Sequence, residues 1–230
     1  MKKYINLIAI AIVALGCFTA NAQNEFQAPT AKNGFYNVLD CPTTPSYFKT
    51  TAERNEDEGF FNINIYHGNI LAQTIKCDVT SADMHFLDAN FDGNLDIVVG
   101  PARARNYSTI LLWSDKAKQF VPTGIEINGY LLVNPKAKIW AGMSSDGVSS
   151  MMYEKYSWHG NKLVADESIL LFTDKSEYAS YGVTTKYTLI KGNDYYSPAS
   201  VGCVKLRTNK ISKLPKVWQQ ILNSFENMEM

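Results

Sequence analysis

From Phe60 onward the chain is written in short runs of alternating apolar and polar residues, cut repeatedly by Gly, Asn and Asp. Alternation at period two puts successive side chains on opposite faces, so each run suits a half-buried strand and no long helix. Phe61, Ile63 and Ile65 fall on one face, and Asn62, Asn64 and Tyr66 on the other. His67-Gly68-Asn69 turns the chain into a second run, Ile70 to Ile75. Further predicted strands are Leu95 to Val99, Thr109 to Trp113, Lys138 to Met143 and Met151 to Trp158. Lys162 to Phe172, Thr184 to Lys191 and Val201 to Leu206 complete the set. Asp146-Gly147, His159-Gly160-Asn161 and Gly192-Asn193-Asp194 supply the turns between them. The expected fold class is all-β, mostly antiparallel.

Tyr66-His67-Gly68-Asn69-Ile70-Leu71 and Trp158-His159-Gly160-Asn161-Lys162-Leu163 share the pattern aromatic-His-Gly-Asn-x-Leu, 92 residues apart. That offset is close to two units of roughly 40–45 residues, the length of a four-stranded propeller blade. A five-bladed β-propeller-like arrangement is the expected architecture, with a β-sandwich as the alternative. Residues 23–59 are rich in Pro, Thr, Asn and Gly and end in the acidic run Glu53 to Gly59, read as a solvated hairpin or loop. At the other end Val217, Trp218, Ile221, Leu222 and Phe225 recur at helical spacing behind Pro215. An amphipathic helix over 215–228 is predicted to lie across the β core.

The first 22 residues read as a signal peptide. Lys2 and Lys3 precede an apolar run from Ile5 to Phe18, and Ala20-Asn21-Ala22 offers a small-x-small cleavage pattern. The run is shorter than the roughly 20 residues that span a bilayer, so no membrane span is expected. Cleavage after Ala22 leaves residues 23–230 as one β-rich domain, periplasmic or secreted. A lipoprotein modified at Cys17 is the alternative. The chain carries 22 basic and 22 acidic residues, a balance that gives no electrostatic case for nucleic acid. Cys41, Cys77 and Cys203 remain in the mature chain. Cys41 and Cys77 are the nearer couple, but spacing alone leaves the pairing open.

Residues 88–96 read Asp88-Ala89-Asn90-Phe91-Asp92-Gly93-Asn94-Leu95-Asp96. Oxygen-bearing side chains occupy positions 1, 3, 5, 7 and 9, and a glycine stands at 6 where such a loop turns sharply. Ca²⁺ takes 6–8 oxygen ligands at roughly 2.3–2.6 Å, which alternating carboxylates and amides can supply. The candidate metal ligands are Asp88, Asn90, Asp92, Asn94 and Asp96, with Asn94 acting through its backbone carbonyl. Val99 replaces the glutamate of a full EF-hand, and a strand follows in place of a helix. One calcium site with a structural role is expected.

This run entering a strand resembles the calcium loop of FG-GAP and VCBS-type repeats of extracellular β-propellers. With Leu112-Trp113-Ser114-Asp115, Phe120 and Trp158-His159-Gly160-Asn161, it is more specifically similar to a group of small periplasmic propeller proteins that includes a calcium-containing inhibitor of lysozyme-type peptidoglycan hydrolases. The resemblance covers the middle third of the chain. It implies a binding protein whose partner is a cell-envelope protein, a peptidoglycan hydrolase in particular. A carbohydrate-binding module with a glycan partner is the alternative.

No residue pattern here reads as catalytic, and the expectation is that the protein is not an enzyme. His67, His85 and His159 show no zinc-enzyme spacing. Ser46-Tyr47-Phe48-Lys49 matches S-x-x-K without the companion elements of that enzyme class. Tyr195 and Tyr196 could stack on sugar, although strand aromatics more often pack in a core.

Overall fold

Period-two patterning becomes strand through most of the chain. The computed structural model describes residues 28–45, 48–102, 106–145, 150–173, 185–191, 204–208 and 210–228. In chain order these form β1 (Tyr36–Asn37), β2 (Lys49–Asn55), β3 (Phe60–His67), β4 (Ile70–Cys77), β5 (Met84–Leu87), β6 (Asp96–Val99), β7 (Tyr107–Ser114) and β8 (Gln119–Asn128). They continue with β9 (Tyr130–Asn134), β10 (Ile139–Ser145), β11 (Ser150–His159), β12 (Lys162–Thr173), β13 (Thr185–Lys191), β14 (Val204–Thr208) and the helix α1 (Lys216–Glu226). The strands make three sheets, and every pairing with a defined register is antiparallel. The protein is therefore mostly antiparallel β. No helix among the described residues is long and apolar enough to cross a membrane. The signal-peptide segment, Cys203, Tyr195, Tyr196 and the turns at Asp146-Gly147 and Gly192-Asn193-Asp194 lie outside the described residues.

The fold divides into two compact units, and the described residues of the first are 28–29, 40–45, 48–101 and 106–127. It holds the three-stranded sheet β2-β3-β4 and the four-stranded sheet β5-β6-β7-β8. Ile63 and Ile65 enter its core as the alternation predicts, together with Ile75, Phe86, Ile97, Leu111, Trp113 and Phe120. Asn64 is also buried, and it accepts a hydrogen bond from the Thr74 hydroxyl at 2.7 Å, which offsets its desolvation. Phe48 meets Phe86 edge-on at 5.5 Å, and Trp113 meets Phe120 at 5.2 Å. Gln73 joins the two sheets. Its Nε2 donates to the Phe120 carbonyl at 2.7 Å and its Oε1 accepts from the Phe120 N–H at 3.0 Å.

Three strands of this unit escape the period-two reading: β5, whose run His85-Phe86-Leu87 is buried without alternation, and β2 and β8. β2 is almost wholly polar and holds its place by backbone pairing with β3, from Lys49 opposite Tyr66 to Asn55 opposite Phe60. The acidic run is the solvated turn that closes this hairpin, where Asn55 Oδ1 accepts the N–H groups of Asp57 and Glu58 at 3.2 Å. β8 contains Pro122 and Gly124, two strand breakers, and it survives because it is an edge strand where a missing N–H costs no ladder bond.

The described residues of the second unit are 30–39, 102, 128–145, 150–173, 185–191, 204–208 and 210–228. Its sheet runs β1-β9-β10-β11-β12-β13-β14. One face carries Leu132, Ala141, Met143, Tyr153 and Ile169, and α1 covers it with Trp218, Ile221, Leu222 and Phe225. Pro215 stands just before the first turn, and Phe225 packs on Tyr153 at 5.7 Å. The predicted docking of the C-terminal helix on the β core is what the structure shows. Trp218 is fully buried and gives its indole N–H to Glu167 at 3.0 Å, while Lys155 meets the same carboxylate at 3.2 Å.

The two look-alike segments are both hairpins. Gly68 (φ +58°) and Gly160 (φ +62°) take the left-handed conformation that glycine reaches without Cβ strain. His67 pairs with Ile70, and His159 with Lys162. Each hairpin is irregular a few residues from its turn, between Ile65 and Tyr66 and between Lys155 and Tyr156.

Candidate metal centre

The acidic loop joins β5 to β6 across the last residue pair of that hairpin, Leu87 opposite Asp96. Its residues wire themselves around backbone amides. The Asp92 N–H donates to Asp88 Oδ1 at 3.0 Å and to Asn90 Oδ1 at 3.1 Å, and the Gly93 N–H donates to Asp88 Oδ2 at 3.0 Å. Asp92 Oδ1 takes the Asn94 N–H at 2.8 Å, and Asp92 Oδ2 takes the Asn90 side-chain amide at 2.8 Å. Asp88, Asn90 and Asp92 are thereby drawn together on one side of the loop. Phe91 (φ +63°) and Gly93 (φ +90°) are both left-handed, a conformation the bulky Phe91 adopts only under constraint.

Asp96 behaves differently. It is fully buried, with Oδ2 accepting from the Ala89 N–H and Oδ1 from the Trp113 N–H, each at 2.8 Å. It braces the loop's first residues and β7 onto the start of β6. Burial holds its carboxyl well above the usual carboxylate range, against the pull of those two N–H groups. Burial also raises Asp88, with the Asp92 charge adding to the effect and the Gly93 N–H opposing it. Asn94 turns its side-chain amide toward Asp115 Oδ2 at 3.4 Å. Asp115 also takes the Trp113 indole N–H at 3.1 Å, and that bond sets its carboxyl below the usual range.

Among the described residues no group of three or more His, Cys, Asp or Glu side chains converges as a metal-binding cluster. The loop is a mixed set in which amide and carbonyl oxygens stand beside carboxylates. Each carboxylate oxygen that accepts one N–H retains a second lone pair. The donor chemistry, oxygen throughout, fits a hard cation such as Ca²⁺, and partly desolvated carboxylates near one another would be relieved by its charge.

A second cluster was not legible as such in the sequence. Ser157, His159 and Asp166 meet at the β11–β12 hairpin: the Ser157 hydroxyl donates to Asp166 Oδ2 at 2.6 Å, and His159 Nε2 lies 3.2 Å from Asp166 Oδ1 and 3.0 Å from Ser157 Oγ. A Ser-His-Asp relay needs one imidazole nitrogen to take the serine proton while the other faces the carboxylate. Here the serine proton goes to the aspartate and one nitrogen meets both partners, so the cluster closes the hairpin and is not wired as a nucleophile. The signal that could have found it is the short distance of Ser157 and Asp166 from the turn on facing strands. Cys41 and Cys77 are buried thiols that are not joined to each other. Burial pushes them up to about 12 and about 11, with Asp40 adding to the effect at Cys41.

No family model matches this chain, and no curated protein matches it. One solved structure resembles it, titled "Structure of a Xanthomonas Type IV Secretion System related protein". The two share 13% identity over 71% of this chain and 92% of that one, with a TM-score of 0.45. A likeness that loose carries no weight for function.

Proposed function

We propose that this is an exported calcium-binding β protein that works by holding a cell-envelope partner, with a lysozyme-type peptidoglycan hydrolase as the candidate class. The observation that carries the calcium reading is the gathering of Asp88, Asn90 and Asp92, in which Asp88 and Asn90 both accept the Asp92 N–H and the Asn90 amide donates to the Asp92 carboxylate, beside a strained Phe91. Asp88, Asn90, Asp92, the Asn94 carbonyl and Asp96 would hold the ion. The bound charge would offset carboxylate repulsion and fix the start of β6 against β7, a structural role. Export rests on the basic start, apolar run and Ala20-Asn21-Ala22 pattern of residues 1–22. The partner class rests on the resemblance carried by the loop and by Trp113 to Asp115. A five-bladed propeller is the finer reading of the fold. The four-stranded sheet β5–β8, which holds the calcium loop, has the strand count of one blade, whereas the seven-stranded sheet is wider than a blade.

Thermal unfolding with calcium and with chelator tests the ion. Calcium should raise the melting temperature of the full chain, and Asp92→Ala should remove that response. An unchanged melting temperature in both comparisons would refute the ligand assignment. Pull-down with envelope hydrolases and a muramidase inhibition assay test the partner.

A further inference from the structure

Within the first unit two sheet edges face each other, β4 and β8. At Gln73 and Phe120 they are clamped by a side-chain amide, and further along both strands they part into a cleft. The cleft is narrow at first, about 170 Å³ between Lys76, Thr109, Pro122 and Gly124. It then widens to about 470 Å³ between Arg54, Phe61, Thr80 and Tyr107. Asp78 and Glu126 line both parts.

The charges in it are unequally satisfied. Arg54 pairs with Glu56 at 3.5 Å and stands 5.9 Å from the Phe61 ring centre. Lys76 pairs with Glu58 at 2.9 Å and lies 3.6 Å over the Phe60 ring. Asp78 and Glu126 make no side-chain hydrogen bond or ion pair among the described residues. The acidic β2–β3 turn borders the wide end through Gly59, so the neighbourhood carries an excess of negative charge. Tyr107, 49% exposed, offers a ring face at the same end.

We propose that this cleft captures a basic side chain, Arg or Lys, on an exposed segment of a partner protein. Two carboxylates without a cation and an open aromatic ring complement a cationic head and its methylene stem. A sugar hydroxyl would leave both charges uncompensated. Strand addition is disfavoured because Pro122 lacks an N–H and Gly124 (φ +68°) breaks the extended line of β8. The inference deepens the reading of the molecule as a binding protein by giving the partner a surface chemistry.

The test uses the full chain and a fluorescein-labelled hexa-arginine peptide, read by fluorescence anisotropy with calcium present. Asp78→Asn with Glu126→Gln should weaken binding about tenfold, as loss of two exposed charge contacts would. Asp40→Asn with Glu226→Gln, which removes the same charge from elsewhere on the surface, should change it less than twofold. Tyr107→Ala should weaken it, and added salt should suppress it. Equal losses in the two double variants would overturn the proposal, as would displacement of the peptide by a chito-oligosaccharide, which would make the cleft a glycan site. Neither result bears on calcium binding or on hydrolase inhibition, which are measured separately.

Discussion

Gly129 sits between β8 and β9 with φ +92°, and a Cβ built there would lie 2.0 Å from the Met143 carbonyl oxygen. Nothing flexible can yield, because the obstacle is the backbone of β10. Gly129→Ala should therefore cost about 3 kcal/mol or more in urea unfolding, combining left-handed strain with displacement of a strand. Cys41 and Cys77 make a second residue-scale case. Each thiol is raised, so its stabilising contribution is complete below the ordinary value of 9.0 and is lost as pH rises through about 11 to 12. At pH 8 both should resist alkylation in the native protein and react once denaturant exposes them, which peptide mass mapping would read directly. Prompt labelling of either in native protein would contradict the burial. The acidic loop shows how far residue reading reaches. The spacing of its oxygen donors was visible in sequence, but the bracing of Asp96 by two backbone N–H groups was not, because only the approach of β7 supplies the Trp113 N–H that it accepts.

For elements, legibility follows how much apolar surface each one buries. α1 was readable because Trp218, Ile221, Leu222 and Phe225 must share a face to be covered, and β3 was readable for the same reason. β2 was not, since its strand state is imposed by the hydrogen-bonding edge of β3 and leaves no periodic trace. β8 was hidden by breakers that an edge position tolerates. The anchoring of α1 can be divided by mutation. Trp218→Ala should cost about 3–5 kcal/mol for the emptied volume, whereas Trp218→Phe, which keeps much of the packing and loses the bond to Glu167, should cost less than half of that. Chemical denaturation of both variants distinguishes packing from the hydrogen bond. Equal costs would mean that the indole N–H, and not the ring volume, holds the helix.

At the scale of the whole molecule, charge and linkage govern behaviour. The full chain has no formal net charge at pH 7 and a pI near 6.8, so solubility should pass through a minimum close to neutrality and recover on either side. Turbidity against pH in low salt would show it. If the loop holds calcium, mass action should add about 2.7 kcal/mol of stability at a hundredfold excess over the dissociation constant, and that increment should grow with the logarithm of free calcium. The clamp at Gln73 has a kinetic consequence. Its partner Phe120 is 47 residues away, so closing this bond carries a larger loop-closure cost than a contact within either hairpin. A clamp of that kind, closing after the rate-limiting step, predicts that Gln73→Ala hastens the opening of the native state and leaves the refolding rate nearly untouched; chevron kinetics would read both rates, and slowed refolding would place the amide in the folding nucleus instead.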